Sequence, residues 1–195
     1  GEIVLEHVSP VVIGAMYGAT LTPALANISV EPLGSATTIL LLNNTGNTLT
    51  TFDVKMTVPA DSPINVTISG ATSIVLKAGR VQDLRFQIQA LEGAIHDATY
   101  EVLVEITSGL NINLSATISV KVLPAHNLTL TLPETMVTPG VEETVFYQLA
   151  NGGNLAENMD IGVYLATGWN ITLAPASLQL ARDSSYSGSF TIEVP

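Results

Sequence analysis

The tetrapeptide Asn44-Thr45-Gly46-Asn47 comes back in the second half of the chain as Asn151-Gly152-Gly153-Asn154, and its surroundings come back with it. At the same spacing, Asp53-Val54 falls on Asp160-Ile161 and the run from Thr37 to Leu42 on that from Thr144 to Leu149. After a two-residue deletion Asn65-Val66-Thr67 matches Asn170-Ile171-Thr172, and Phe86-Gln87-Ile88 then matches Phe190-Thr191-Ile192. A chain with this self-similarity folds one unit twice. Whatever the first copy is, the second must be a version of it.

Period-2 alternation identifies the unit. Ile28 and Val30 alternate with Asn27 and Ser29, and Val54, Met56 and Val58 with Asp53, Lys55 and Thr57. Val66 and Ile68 alternate with Asn65 and Thr67, and Leu84, Phe86 and Ile88 with Arg85, Gln87 and Gln89. Thr38–Leu42 is a continuous apolar run, the pattern of a central strand buried on both faces. Ser73–Lys77 is another short strand. A hairpin follows, with Tyr100, Val102, Val104 and Ile106 on one arm and Ile112 to Val122 on the other. Gly18 to Pro23 and the Asn43–Asn47 stretch read as linker and turn. No segment carries a sustained 3.6-residue period. Seven or eight short strands in about 100 residues predict an all-β chain of two tandem immunoglobulin-like β-sandwich domains. Their expected bounds are 23–123 and 124–195, after an N-terminal segment 1–22.

The copies are unequal. The second stops at the equivalent of Leu91, so it has no counterpart of the Tyr100–Val122 hairpin and is expected to lack its final strands. A sandwich without them presents an apolar groove and unpaired edges, here assigned to Phe190, Ile192 and Val194. The chain also carries an apolar, β-prone segment at its N-terminus. Its candidate inward residues are Ile3, Leu5, Val8, Val11, Ile13 and Tyr17. Twenty extended residues reach roughly 66 Å at about 3.3 Å each, far enough to enter a neighbouring molecule. Burying about five apolar side chains there would contribute on the order of 7–15 kcal/mol before ordering costs. The expected contact is strand addition, head to tail, between identical subunits, and repetition of it gives a filament. Pro10 cannot donate to a ladder, so it divides the donor or sits at a bulge.

The Asn44–Asn47 and Asn151–Asn154 turns, the Gly168-Trp169-Asn170-Ile171-Thr172 strand entry and the Phe190–Pro195 strand resemble the Ig-like sandwiches of archaeal cell-surface proteins. Related modules accompany some glycosidases. With the N-terminal extension and the short second domain, the whole chain resembles subunits of archaeal adhesive pili or threads. That resemblance implies assembly by donor-strand complementation, heavy glycosylation and a role in adhesion or cell–cell contact.

Composition narrows the alternatives. Hydrophobic residues make up 47% of the chain and charged ones 12%, with a mean hydropathy of +0.42, too apolar for disorder and suited to burial against neighbours. Net charge is −11 and the six basic residues are scattered, which leaves no footprint for nucleic acid. The absence of cysteine removes disulfides and cysteine–zinc sites. The apolar N-terminus is broken by Glu6, His7 and Pro10 and falls short of the roughly 20 residues of a transmembrane helix.

Catalytic chemistry is not legible. His7, His96 and His126 lie in different elements without metal-binding spacing, and they read as exposed or edge residues. Glu142-Glu143 and Glu157/Asp160 show no calcium-loop period. Trp169 reads first as a core residue and second as a platform for a sugar. The expectation is a non-enzymatic protein without metal or cofactor.

One modification signal stands out. Asn-x-Ser/Thr occurs at Asn27, Asn43, Asn65, Asn113, Asn127 and Asn170, where chance at this composition gives about two. Five of these asparagines are expected in strands, with an apolar middle residue that turns the asparagine outward. N-linked glycans and an extracellular, cell-surface location follow as expectations. The competing expectations are a fragment of an S-layer or other multidomain surface protein, and a carbohydrate-binding accessory module of a secreted glycosidase.

Overall fold

The computed structural model describes residues 12–164 and 167–195, and all the regular secondary structure among them is β-strand. The first nine strands are β1 (Ala19–Pro23), β2 (Asn27–Val30), β3 (Ser35–Asn44), β4 (Thr50–Thr57), β5 (Ile64–Ser69), β6 (Ser73–Leu76), β7 (Val81–Ala90), β8 (Thr99–Ser108) and β9 (Ile112–Val122). They form one sheet in the order β1-β3-β7-β5 and a second in the order β2-β9-β8-β4-β6. All ladders are antiparallel except β2 on β9, where Asn27 to Val30 run parallel to Ser119 to Val122. This is the immunoglobulin arrangement: an A-B-E-D sheet faces a G-F-C sheet, and the first strand switches between them. Alternation does the sorting, as in β7, where Leu84, Phe86, Ile88 and Ala90 are buried while Arg85, Gln87 and Gln89 face solvent.

Two sequence expectations change. Gly18 to Pro23, read as a linker, forms β1 from Ala19 onward, ahead of the boundary expected at residue 23. Ala19 and Leu21 are apolar in the phase that β3 requires. Pro23 stands at the strand's last position on the sheet edge, where a missing N–H is tolerated. Thr38–Leu42 is not buried on both faces. Thr38, Leu40 and Leu42 are buried, but Ile39 is half-buried and Leu41 is 37% exposed. Among the described residues no layer covers the outer side of this sheet, so the continuous apolar run still has one wet face.

The remaining strands are β10 (Leu128–Thr131), β11 (Glu142–Asn151), β12 (Glu157–Asp160), β13 (Asn170–Ala174), β14 (Ser177–Leu180) and β15 (Ser184–Glu193). Their order, β10-β11-β15-β13 beside β12-β14, repeats the first unit residue by residue. Phe86 pairs with Thr38 and Ile68, and Phe190 pairs with their equivalents Val145 and Leu173. Asp53 pairs with Ser73, and Asp160 with Ser177. The second sheet of this unit holds the counterparts of β4 and β6 alone. Among the described residues nothing takes the places of β2, β8 and β9.

The cores reflect that difference. Buried apolar residues of the first unit form one cluster of 19, and six of them (Val102, Val104, Ile106, Ile118, Val120 and Val122) belong to β8 and β9. At roughly 1.5–3 kcal/mol per fully buried aliphatic side chain, those two strands carry a large share of its stability. The second cluster is Tyr147, Leu149 and Leu180, with half-buried residues around it.

Candidate assembly site

The consequence of the short second sheet is a trough. It runs between β10 and β12, has a volume of about 390 Å³, and is lined by Leu128, Leu130, Leu149, Met159 and Ile161 among others. Leu128 lies opposite Asn151 and Leu130 opposite Leu149, so both point to the inner face, yet they are 45% and 58% exposed. Their equivalents in the first unit, Ala19 and Leu21, pack on its core. The other side of β12, where β4 holds β8, carries no partner strand among the described residues. The segment between β10 and β11 forms no strand either, and Met136 within it is almost fully exposed. In the first unit the corresponding segment is β2, which pairs with β9 alone. Among the described residues no counterpart of β9 is present to pair with it.

Two asparagines per unit organise the end at which the chain enters. Asn44 is wholly buried. Its amide donates to the carbonyls of Thr48 (2.8 Å) and Leu76 (2.9 Å) and accepts from the Gly46 N–H (3.0 Å), tying one sheet to the other. Asn151 does the same with Leu155 (2.8 Å), Leu180 (3.1 Å) and Gly153 (2.9 Å). The sequence suggested only solvated turns here. The signal was present in the repetition of Asn-x-Gly-Asn itself, since a merely solvated loop has no need to keep its order. A buried amide whose three bonds are all met fixes a loop more firmly than an exposed turn could.

The second asparagine grips the incoming chain. Asn47 N–H donates to the Met16 carbonyl (3.0 Å), its Oδ1 accepts from Met16 N–H (2.7 Å), and its Nδ2 donates to the Gly14 carbonyl (2.9 Å). Asn154 repeats all three with Ala125 (3.1 and 2.8 Å) and Leu123 (3.0 Å). Glycine is required beside each clamp. A Cβ on Gly46 would meet the Met16 carbonyl oxygen, and one on Gly153 would collide with that of Ala125.

The joint between the units has further ties. His96 N–H donates to the Asn154 carbonyl (3.2 Å) and the Arg182 guanidinium to that of Gly93 (3.4 Å), while within the first unit Asp97 N–H donates to the Val122 carbonyl (3.2 Å). The Lys121 ammonium, 2.8 Å from Asp97, holds that carboxyl below its ordinary range, with His96 adding to the effect.

The expected donor residues Ile3, Leu5, Val8 and Val11 lie outside the described residues. Ile13 is exposed, as is Tyr17 to a lesser degree. Of the expected groove residues, Phe190 and Ile192 sit on the inner face of β15, and Val194 lies just beyond it. β15 is paired on both sides, by β11 and β13, so it offers no free edge. Phe190 packs near Tyr147 with ring centroids 6.4 Å apart. Phe190 belongs to the second core and Ile192 is buried beside it on β15, and the open trough is at the other side of the unit.

Asn27, Asn65, Asn113 and Asn170 are exposed on β2, β5, β9 and β13, and Asn127 is exposed just ahead of β10. Asn43 on β3 is only half-buried, opposite Thr20 of β1. Trp169 is half-buried and outside the core cluster. His126 Nδ1 lies 2.5 Å from Glu157 Oε1, and Lys55 is 3.7 Å from Glu105. No group of three or more His, Asp or Glu residues able to hold a metal occurs among the described residues. Nor is any helix among them long and apolar enough to cross a membrane.

No protein-family model matches the chain, and no curated protein matches it in sequence. Among solved structures it is similar to the PapD-like domain 7 of human CEP192, with 14% identity and a TM-score of 0.41, over 63% of this chain and 98% of that one. It is similar also to the class 5 fimbriae chaperone CfaA, with 11% identity and a TM-score of 0.38, over 90% and 100%. Domains 4 and 5 of the S-layer protein SbsC give 17% identity and 0.38, over 56% and 54%. Likenesses this distant assign no role to the chain.

Proposed function

We propose that the chain is a non-enzymatic, N-glycosylated structural subunit of an extracellular filament, in which a strand of one molecule is added to the second sandwich of the next, with adhesion or cell–cell contact as its role. The observation that carries this reading is the trough beside β10 and β12, where apolar inner-face leucines and a strand edge stand uncovered. Exposed strand edges of this kind recruit strands from other chains unless they are blocked. The N-terminal segment is the occupant that the chain itself supplies. The exposed sequons on β2, β5, β9 and β13 fit a surface protein, because the glycans would point away from both cores.

Removing residues 1–13 should convert polymers into monomers on sedimentation and by electron microscopy. Adding a synthetic Glu2–Ile13 peptide should then raise the melting temperature of the second sandwich. Polymers that persist unchanged after the deletion would sink the proposal.

A second reading draws on the width of the gap. Two neighbouring strands, the counterparts of β8 and β9, are wanting among the described residues. A hairpin supplied by a longer multidomain surface protein of S-layer type would fill that width in one piece. The intact mass of the native polypeptide, isolated from its source, separates the two.

A further inference from the structure

We propose that the joint between neighbouring molecules copies the joint inside the chain, so that residues 3–13 of one molecule take the β9 place in the second sandwich of the next. This rests on the filament reading and adds to it a place, a direction and a register.

The inference starts from the two clamps. Asn47 holds Gly14 and Met16 as Asn154 holds Leu123 and Ala125, atom for atom. The turns agree as well, since Thr45 N–H reaches the Gly18 carbonyl (3.0 Å) and Gly152 N–H that of Asn127 (2.8 Å). In the second case the clamped chain is what leaves β9 of the preceding sandwich. Counting back from the clamps at this constant spacing, Ile3, Leu5, Val11 and Ile13 fall on Ile112, Leu114, Val120 and Val122 of β9. All four of those residues face the first core. The middle differs, with His7 and Ser9 where β9 has Ala116 and Ile118, and Val8 takes an outward position. Apolar anchors therefore sit at the two ends of the segment.

The acceptor has the matching vacancy. In the first sandwich β1 packs on β9, and Ala19 and Leu21 share the core with Ile112, Leu114 and Ala116. Leu128 and Leu130 occupy the positions of Ala19 and Leu21 and are uncovered. Ile3 and Leu5 are the residues that would cover them. Pro10 falls on Ser119, whose N–H donates to the Ala26 carbonyl on the β2 side (2.7 Å). In this register the missing N–H of Pro10 forfeits that one bond, on the side of the segment between β10 and β11. In the first sandwich β9 ladders with β2 and β8 and packs on β1; in the second the added segment would meet β10 and the segment between β10 and β11, and the slot against β12 is separate from it.

The full chain tests this directly, because it has no cysteine of its own. Leu5→Cys with Leu130→Cys in one chain, oxidised or treated with a short bismaleimide, should give a ladder of cross-linked multimers on a denaturing gel. Leu5→Cys with Met159→Cys, on β12 at the other wall of the trough, should give at least tenfold less. A ladder from the second pair in place of the first overturns the register while filaments remain visible. No ladder from either pair, with no filaments by microscopy, overturns the filament reading and this inference together. In micrographs, the assigned joint should appear as beads at one even spacing, each a sandwich. Spacing that alternates between short and long also counts against it.

Discussion

Leu130→Asp should abolish polymerisation while the first sandwich melts as before. Leu130 is 58% exposed in the single molecule, so a carboxylate there remains hydrated and costs the folded monomer little. The effect appears only when a donor strand covers the site. A leucine that would have gained about 1.5–3 kcal/mol on burial is then replaced by a charge whose desolvation without a partner costs several kcal/mol more. Their sum corresponds to a loss of affinity of more than a hundredfold. Sedimentation of the variant beside the parent chain at one concentration measures it. Leu41→Asp is the matched control: Leu41 is also exposed, but it lies on the outer face of the first sandwich, and its replacement should leave the polymer intact.

Asn44→Ala should lower the melting temperature of the first sandwich by about 10–20 °C. The side chain is fully buried and makes three hydrogen bonds, to Thr48, Leu76 and Gly46. Alanine leaves those three main-chain groups without this partner, the Leu76 carbonyl in a buried setting, at a cost of about 2–4 kcal/mol. For a domain of this size each kcal/mol moves the midpoint by about 4–8 °C. Asn47→Ala makes an informative contrast. Its clamp is exposed, so the loss of domain stability should be under about 1 kcal/mol, with the effect falling on the joint. Two calorimetric transitions, one per sandwich, would separate the cases; a similar drop for both variants would contradict the division of labour between the two asparagines.

Much of the fold was legible because β-alternation and the repeat reinforce each other. The pairings of Phe86 and Phe190 follow the same register, as their matched sequence surroundings implied. β1 was missed because Gly18 and Pro23 bracket a Thr-rich run, and local propensity does not register an edge strand that gains its place by pairing with β3. The two faces of β3 were misjudged for a related reason. An apolar run states what a strand tolerates, whereas burial depends on whether another layer lies above it. The position of the uncovered apolar residues was not legible in the sequence. Unequal copies point to a shorter second sandwich, and the sequence alone assigns its groove to Phe190, Ile192 and Val194. In space, β15 lies between β11 and β13, and the uncovered residues are Leu128 and Leu130 at the start of the unit. Sequence order gives the last strand formed; sheet order gives the edge.

The parallel pairing of β2 with β9 has a mechanical meaning. Tension along the chain enters the first sandwich through β1 and β2 at one pole and leaves through β9 at the other. These strands run side by side in the same direction, with Asn27 opposite Ser119 and Val30 opposite Val122. Pulling their far ends apart loads the whole ladder in shear, so its bonds must yield together. Strands pulled from one end, by contrast, unzip one bond at a time. A sandwich threaded in this way resists extension, which suits a chain whose units are joined in series.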